Sequence, residues 1–211
     1  MDYGLAFTFL PNSSKNWIGK AAMGVVFALL IPLLGLGFVG LLGWAIAIAR
    51  NVSQGQEDVL PEWSDIVPIF IDGLKAIVLV ILWYIPFWIL VGLGALIDQP
   101  VVNFITWCCS VIYGLPMAIL FMGAFGMLAD GDSFGAAVNP MNAWQVVSAN
   151  WANTIIAFLL AAFGFSFAVL LGTVLCGIGI LIGIPYGASL TGHLYGQLYR
   201  ESQGSSKAAA A

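Results

Sequence analysis

Hydrophobic residues occur in four long runs along the chain, and charged residues are confined to the segments between and beyond them. The uncharged runs cover residues 21–49, 76–97, 101–129 and 154–199. A membrane helix needs about 20 apolar residues to cross about 30 Å of hydrocarbon. Because backbone groups in lipid must be hydrogen-bonded within the protein, each run predicts helix.

The four runs differ in how many membrane spans they predict. Residues 76–97 and 101–129 predict one span each, joined by a tight turn at residues 98–100, and 154–199 is long enough for two spans. We expect the turn between those two at residues 176–185, where glycines are frequent. The first run contains Pro32 and several glycines, so it predicts either one kinked span or a hairpin. The pattern therefore predicts an all-α, polytopic bundle of about five to six spans.

The basic residues favour the hairpin. If the first run is a hairpin, all six basic residues lie on one side of the membrane, whereas a single span would place the two N-terminal lysines opposite the other four. Basic residues mark the cytoplasmic side. We therefore expect a multi-pass protein of the cell inner (cytoplasmic) membrane with a cytoplasmic C-terminus. The six residues are Lys15, Lys20, Arg50, Lys75, Arg200 and Lys207.

The connection before the second run gathers much of the charge of the chain, in "LPEWSDIVPIFIDGLKA". Ile66, Ile69, Phe70 and Ile77 are expected on one helical stripe, and the acidic residues Glu62, Asp65 and Asp72 on the opposite side. This spacing predicts a short amphipathic helix on the cytoplasmic surface that bends at Gly73 into the next span. It is predicted to be a solvated connector, or a docking face for a partner. The candidate interface residues are Glu62, Trp63, Asp65, Asp72 and Lys75.

The connection at residues 130–153 predicts a second interfacial helix. Trp144, Val147 and Trp151 are spaced by three and four residues, which is the spacing of one helical face, and tryptophans are typical of the membrane interface. Two similar successions of run, connection and run suggest a weak internal repeat of residues 21–97 and 101–175. We treat residues 1–211 as a single membrane domain and expect a flexible C-terminal tail at 200–211.

Composition supports a membrane protein and excludes several other classes. The chain is 61% hydrophobic and 8% charged, against about 25% charged residues in soluble domains. Its net charge of −4 provides no basic patch for nucleic acid. No phosphate-binding loop, catalytic carboxylate pair, nucleophile motif or metal-ligand cluster occurs, so the sequence predicts no enzyme and no metal site. The three cysteines stand within apolar segments and are expected to be small core residues.

Two further features of the sequence are candidates for function. His193 is the only histidine; it is expected to form a hydrogen bond near the interface, with a haem or chlorophyll-type ligand role or a proton relay as alternatives. Small residues spaced by four allow helices to approach closely in lipid, or they could line a passage for a substrate. The glycines with this spacing are Gly179, Gly183, Gly187, Gly192 and Gly196.

Several stretches carry a resemblance to a known family. They are the opening "MDYGLAFTFLPNSSKNWIGK", "GLLGWAIAIARNVSQG" leading to "LPEWSD" and "DGLKA", the following "YIPF", and the closing "GHLYGQLYRES". With these the chain resembles the prokaryotic membrane-protein family known as domain of unknown function 4013. The resemblance implies a polytopic helical protein of bacteria or archaea and supplies no activity.

These observations predict a non-enzymatic integral membrane protein. Amphipathic surface helices and glycine-striped spans favour an accessory or scaffold subunit of a larger membrane complex, with the lipid bilayer and other membrane subunits as partners. A small-solute or lipid transporter is the alternative, because of the repeat and the prolines within the runs. A pigment- or haem-binding subunit of a bioenergetic complex is a further alternative that depends on His193.

Overall fold

The computed structural model of the protein describes residues 1–12, 16–32, 35–97, 99–174 and 179–210. Helix makes up 88% of it, and no strand occurs in the described ranges, which confirms the predicted all-α helical bundle. Over these ranges the chain forms nine α-helices: α1 (Tyr3–Asn12), α2 (Trp17–Leu30), α3 (Leu36–Ser53), α4 (Ile66–Ile97), α5 (Pro100–Asp130), α6 (Phe134–Val138), α7 (Pro140–Ser148), α8 (Trp151–Val174) and α9 (Ile180–Ala210).

Within the described residues, four helices are long and apolar enough to cross a membrane. They are α3, α4 with the 3-10 turn that precedes it, α5 and α8. The predicted count of about five to six spans also included α2 and α9. α2 is an apolar helix of 14 residues, about 21 Å long, which is shorter than the hydrocarbon core. α9 carries polar side chains through its buried central turns.

The first apolar run forms two helices, as the hairpin interpretation predicted. α2 and α3 pack against each other, and Gly35 before α3 has a left-handed backbone with φ of 73°. This conformation is costly for residues with a side chain and is readily adopted by glycine. The backbones approach so closely that a Cβ atom on Gly37 would lie 1.9 Å from the Phe27 carbonyl oxygen. Residues 33 and 34 lie outside the described residues.

The central element of the bundle is α9. It packs against α1, α2, α3, α5, α7 and α8, and most of residues 183–199 are buried. α3 lies beside it and is buried over most of its length. The core between them contains the fully buried Trp44 of α3, Phe125 of α5 and Leu190 and Leu194 of α9.

The outer halves of α4 and α5 form an arm, defined here as residues 84–97 and 99–118. Within the described part of the arm Gly94 is the only buried residue, and it faces Thr106 of the same arm. At its base, Tyr113 donates a hydrogen bond to the Trp83 carbonyl at 2.6 Å and Tyr84 donates one to the Gly114 carbonyl at 3.3 Å. The two helices of the arm are therefore joined at the base, where Trp83 also donates to the Val138 carbonyl of α6 at 2.8 Å.

Two predicted boundaries differ from the structure. The turn predicted at residues 176–185 is shorter, because α9 already begins at Ile180 and contains Pro185; residues 175–178 lie outside the described residues. The predicted tail at 200–211 is not separate from the bundle at its start. α9 continues to Ala210, and Ser202 is buried and donates a hydrogen bond to the Tyr199 carbonyl.

Candidate functional site at the charged end of the bundle

Charged side chains from several helices meet at one end of the bundle, where α3, α5 and α9 finish and α4 and α8 begin. The central contact is an ion pair of Arg50 Nη2 with Asp72 Oδ2 at 2.6 Å. Lys75 Nζ lies 2.9 Å from the other oxygen of Asp72, and Arg50 Nε donates to the Ala129 carbonyl at 2.7 Å. This network connects α3, α4 and the end of α5, and we call this region the charged end.

The orientation predicted for Asp72 is wrong. Asp72 was expected on an acidic, water-facing side, but it is 6% exposed and faces the bundle. Its neighbours on the buried stripe of α4 are Ile69, Ala76 and Leu79. This stripe faces α3, and Arg50 of α3 supplies the opposite charge that a buried carboxylate requires.

The bend predicted at Gly73 is also wrong. Gly73 lies inside the continuous helix α4, at its crossing with α3. A Cβ atom on Gly73 would lie 2.0 Å from the Val39 carbonyl oxygen, and one on Gly43 of α3 would lie 1.7 Å from the Ile69 carbonyl oxygen. The two glycines therefore permit direct backbone contact and decide which face of α4 is buried.

A second ion cluster binds the connection between α3 and α4 to the start of α2. Lys20 Nζ lies 2.5 Å from both Asp58 Oδ2 and Glu62 Oε1, and the Lys20 side chain is buried. Burial lowers the pKa of Lys20, but the hydrogen bonds and charges of the two carboxylates more than compensate, so the net shift is upward. Trp63 Nε1 donates to the Gly19 carbonyl at 2.9 Å.

The remaining candidate interface residues lie at the surface of this connection. Glu62, Trp63 and Asp65 are exposed, and the Lys75 side chain is 46% exposed. Glu62 and Asp65 form a reciprocal capping box ahead of α4. Their role as a partner-docking face stays a prediction.

The second predicted surface helix is present as α7, but its aromatic stripe is divided. Val147 is fully buried, whereas Trp144 and Trp151 are each 47% exposed. Trp151 begins the next helix, α8, and the two indole rings lie 5.7 Å apart between centroids. α7 also packs closely on α5, since a Cβ atom on Gly123 would lie 2.5 Å from the Ala143 carbonyl oxygen.

The predicted glycine stripe of α9 faces two different helices. The backbone of Gly179 lies against Gly172 of α8, and Cβ atoms on Gly183 and Gly187 would clash with Ala168 and Phe165 of the same helix. Cβ atoms on Gly192 and Gly196 would instead lie 2.4 and 2.5 Å from carbonyl oxygens of α3. The step of five residues from Gly187 to Gly192 turns the stripe by about 140°, because each residue rotates the helix by about 100°.

His193 is buried between α9 and α1. It is 2% exposed, and its ring stacks on Phe9 of α1 with centroids 4.6 Å apart. Its Nδ1 atom lies 3.1 Å from Gln197 Nε2. Gln197 in turn pairs with the backbone of Asp2, accepting from the Asp2 N–H at 2.8 Å and donating to its carbonyl at 3.0 Å.

An apolar groove of about 540 Å³ lies between α1, α8 and α9. It opens to the side of the bundle, and Phe7, Phe163, Phe167, Leu171 and Tyr186 form much of its wall. The hydroxyl of Tyr186 is already used, because it donates to the Phe7 carbonyl at 3.0 Å. The groove is therefore lined by apolar groups.

Polar cavities lie at the charged end. One of about 340 Å³ is lined by Ser53, Asp130, Tyr199 and Arg200, and another of about 280 Å³ lies beside Lys20 and Asp58. In the described part of the chain, no group of three or more His, Cys, Asp or Glu side chains could hold a metal ion. Cys108 and Cys109 are half-buried free thiols.

A family model described as protein of unknown function (DUF4013) matches residues 24–178. The chain belongs to this family. The DUF4013 match includes the connection between α3 and α4 and the whole of α4 to α8, so the ion pair of Arg50 and Asp72 lies within it. The resemblance noted for the first 20 residues and for "GHLYGQLYRES" falls outside the matched residues, as does His193. No curated protein and no solved structure matches the chain.

Several features of the site were missed by sequence reasoning. Arg50 was used only as a marker of topology, although an arginine at the end of one span and an aspartate at the start of the next are a recognisable pair. The contact of α1 with α9 joins Asp2 to Gln197, which are 195 positions apart, and no local sequence pattern predicts it. Thr154 is fully buried and donates to the Val147 carbonyl at 2.7 Å, which fixes α7 to α8.

Proposed function

We propose that this DUF4013 protein is a non-enzymatic accessory or scaffold subunit of a larger membrane complex. The observation that carries the proposal is the arm of α4 and α5. The arm comprises 14 residues of α4 and 19 residues of α5, and Gly94 is its only buried residue within the described ranges. A pair of helices that buries so little of its surface within its own chain gains packing contacts when helices of another subunit lie against it.

Aromatic side chains on the arm support a protein partner. Trp88, Phe104 and Trp107 are 60%, 66% and 64% exposed. Large aromatic residues dominate the energetics of protein interfaces because they bury much surface at little entropic cost. α8 offers a comparison surface, since its exposed residues include Phe163 and Phe167 beside the apolar groove.

Site-specific photo-crosslinking in the native membrane tests this role. A photoreactive amino acid is placed at Trp107 on the arm and, in a separate variant, at Leu170 on α8, which is 60% exposed. We expect a discrete protein adduct from position 107 and lipid adducts from position 170. If both positions give only lipid adducts, the scaffold role loses its main support.

We further propose that the charged end faces the cytoplasm of a prokaryotic cell, with the protein in the inner membrane. The support is that Lys20, Arg50, Lys75 and Arg200 belong to this end, and basic residues favour the cytoplasmic side. In a background with the native cysteines replaced by alanine, Gln56→Cys and Asn103→Cys report the two ends. A membrane-impermeant thiol reagent added to intact cells is expected to label Asn103→Cys alone, and labelling of Gln56→Cys alone would reverse the orientation.

The two alternative functions receive less support. A transporter needs a polar cavity near mid-membrane, whereas the polar cavities noted above lie at the charged end and the large groove is apolar. A haem or pigment on His193 needs space beside the ring, but Phe9 stacks on that ring and Gln197 occupies Nδ1. A flat cofactor would have to displace α1, so the residues around His193 do not fit one.

A further inference from the structure

The side-chain amide of Gln197 holds the start of α1 on α9, beside the stack of Phe9 on His193 and the hydrogen bond from the Tyr186 hydroxyl to the Phe7 carbonyl. Its Oε1 accepts a hydrogen bond from the Asp2 N–H, and its two N–H groups point to the Asp2 carbonyl and to His193 Nδ1. The backbone of Asp2 offers one donor and one acceptor, and it therefore fixes which way round the amide lies. Nδ1 of His193 must then be an acceptor, so the neutral ring carries its proton on Nε2.

Protonation of His193 conflicts with this arrangement. An imidazolium has a hydrogen on both ring nitrogens, so Nδ1–H would point at the N–H of Gln197. If the amide of Gln197 turns over to offer its oxygen to Nδ1–H, it presents the wrong atoms to both backbone groups of Asp2. A charged His193 and a docked Asp2 therefore exclude each other in either orientation of the amide.

We infer that His193 and Gln197 form an acid-sensitive latch that holds α1 on α9 while the imidazole is neutral. The latch also controls the apolar groove, because Phe7 of α1 lines one wall of it. This inference does not depend on the scaffold role proposed above, since it concerns the position of α1 only.

Protonation of His193 is the event that releases α1, although other charged groups lie on the helices around it. Burial and the positive charge of Arg200 on α9 lower the pKa of His193, and the carboxylate of Asp2, directly before α1, raises it. Asn153 of α8 links the Tyr3 hydroxyl to Glu201, and the nitrogen of Met1 also contacts Glu201. On the other packed helices and the segments beside them, Lys20 is paired with Asp58 and Glu62, Arg50 with Asp72, and Asp132 with Tyr199, while Asp130 at the end of α5 lines the polar cavity beside Arg200.

The sign of the pH dependence follows from the neutral ring in the docked state. Docking favours the unprotonated form, so the contribution of the latch is fully present above the pKa of an undocked histidine, about 6.5. It declines as the pH falls below that value. The groove opens at its α1 side under acid conditions and is closed there at neutral pH.

Hydrogen–deuterium exchange of the full chain in detergent micelles tests the latch. For the peptide covering residues 2–10, we expect exchange at pH 4.5 to be about tenfold faster than at pH 7.5 after correction for intrinsic rates, the factor that corresponds to one pKa unit. Peptides from α5 and α8 should show no such change. Equal corrected rates at the two pH values in the wild type would overturn the inference.

Variants assign the effect to the histidine. His193→Phe keeps a ring to stack on Phe9 but cannot titrate, and it should keep residues 2–10 protected at both pH values. Gln197→Leu should leave them unprotected at both, while Glu201→Gln should respond to pH as the wild type does. If His193→Phe loses protection at pH 4.5 as the wild type does, the acid effect belongs to a carboxylate and the latch is refuted.

A second measurement needs no variant. Because the chain has a single histidine, its imidazole nitrogens can be assigned directly in a ¹⁵N-histidine-labelled sample. We expect an unprotonated Nδ1 at neutral pH, with protonation at the same pH at which residues 2–10 lose protection. A ring that carries its proton on Nδ1 at neutral pH would contradict the geometry on which the latch rests.

Discussion

Arg50 at the end of α3 and Asp72 near the start of α4 form an ion pair of 2.6 Å in which the aspartate side chain is only 9% exposed. Asp72 also binds Lys75, while Arg50 reaches the Ala129 carbonyl at the end of α5. One carboxylate therefore compensates two cations where three helices meet. Asp65, seven residues earlier, is exposed and takes part in the capping box ahead of α4.

We expect Asp72→Asn to destabilise the protein far more than Asp65→Asn. Removing one member of a buried ion pair leaves its partner without a counter-charge, which costs about 3 kcal/mol, whereas weakening a helix cap costs about 1 kcal/mol. Thermal unfolding of the purified variants in the same detergent measures the difference. Equal losses of stability would show that the Arg50–Asp72 pair does not hold the charged end together.

The close crossing of α3 and α4 makes a second prediction. Gly73→Ala would place a Cβ atom 2.0 Å from the Val39 carbonyl oxygen, and backbone atoms on both sides leave it no room. Separation of the two helices should cost about 3 kcal/mol of the free energy of unfolding, or prevent folding.

Gly92→Ala on the same helix is the matched control. Nothing lies within 4 Å of a Cβ atom at that position, so alanine should stabilise the helix by about 0.5–1 kcal/mol. Expression and monodispersity on size exclusion, followed by unfolding in detergent, compare the two variants. If the two alanines have the same effect, the crossing is looser than the structure indicates.

The helical class of this fold could be predicted from the sequence, because runs of apolar residues in a membrane protein leave the backbone no other solution. The sequence does not predict which face of each helix is buried. Around Asp72 two stripes are available, one through Ile66 and Phe70 and one through Ile69 and Ala76, and local spacing does not distinguish them. The choice is made by Gly43 and Gly73, which lie in separate helices and whose contact has no local signature.

Part of the candidate site was also predictable. The glycine spacing on α9 indicated close packing, but the rotation between Gly187 and Gly192 assigns the two pairs to different partners. His193 was recognised as a candidate, whereas Phe9 and Asp2 were not, because the segment before the first apolar run contributes a short helix that has no span pattern. Its position on α9 depends on contacts across nearly the whole chain.

Two threonines of α8 make a third prediction. Thr154 is fully buried and donates to the Val147 carbonyl at 2.7 Å, so it joins the end of α7 to the start of α8. Thr154→Val keeps the shape but leaves that carbonyl without its donor, which should cost about 1–3 kcal/mol. Thr173 is exposed and donates to the Val169 carbonyl one turn earlier in the same helix. Thr173→Val should therefore change the free energy of unfolding by less than about 0.5 kcal/mol.

Unfolding in detergent, together with hydrogen exchange of residues 140–148, separates the two variants: only Thr154→Val should loosen α7. Unchanged protection of α7 in Thr154→Val would mean that its packing on α5 alone holds it in place.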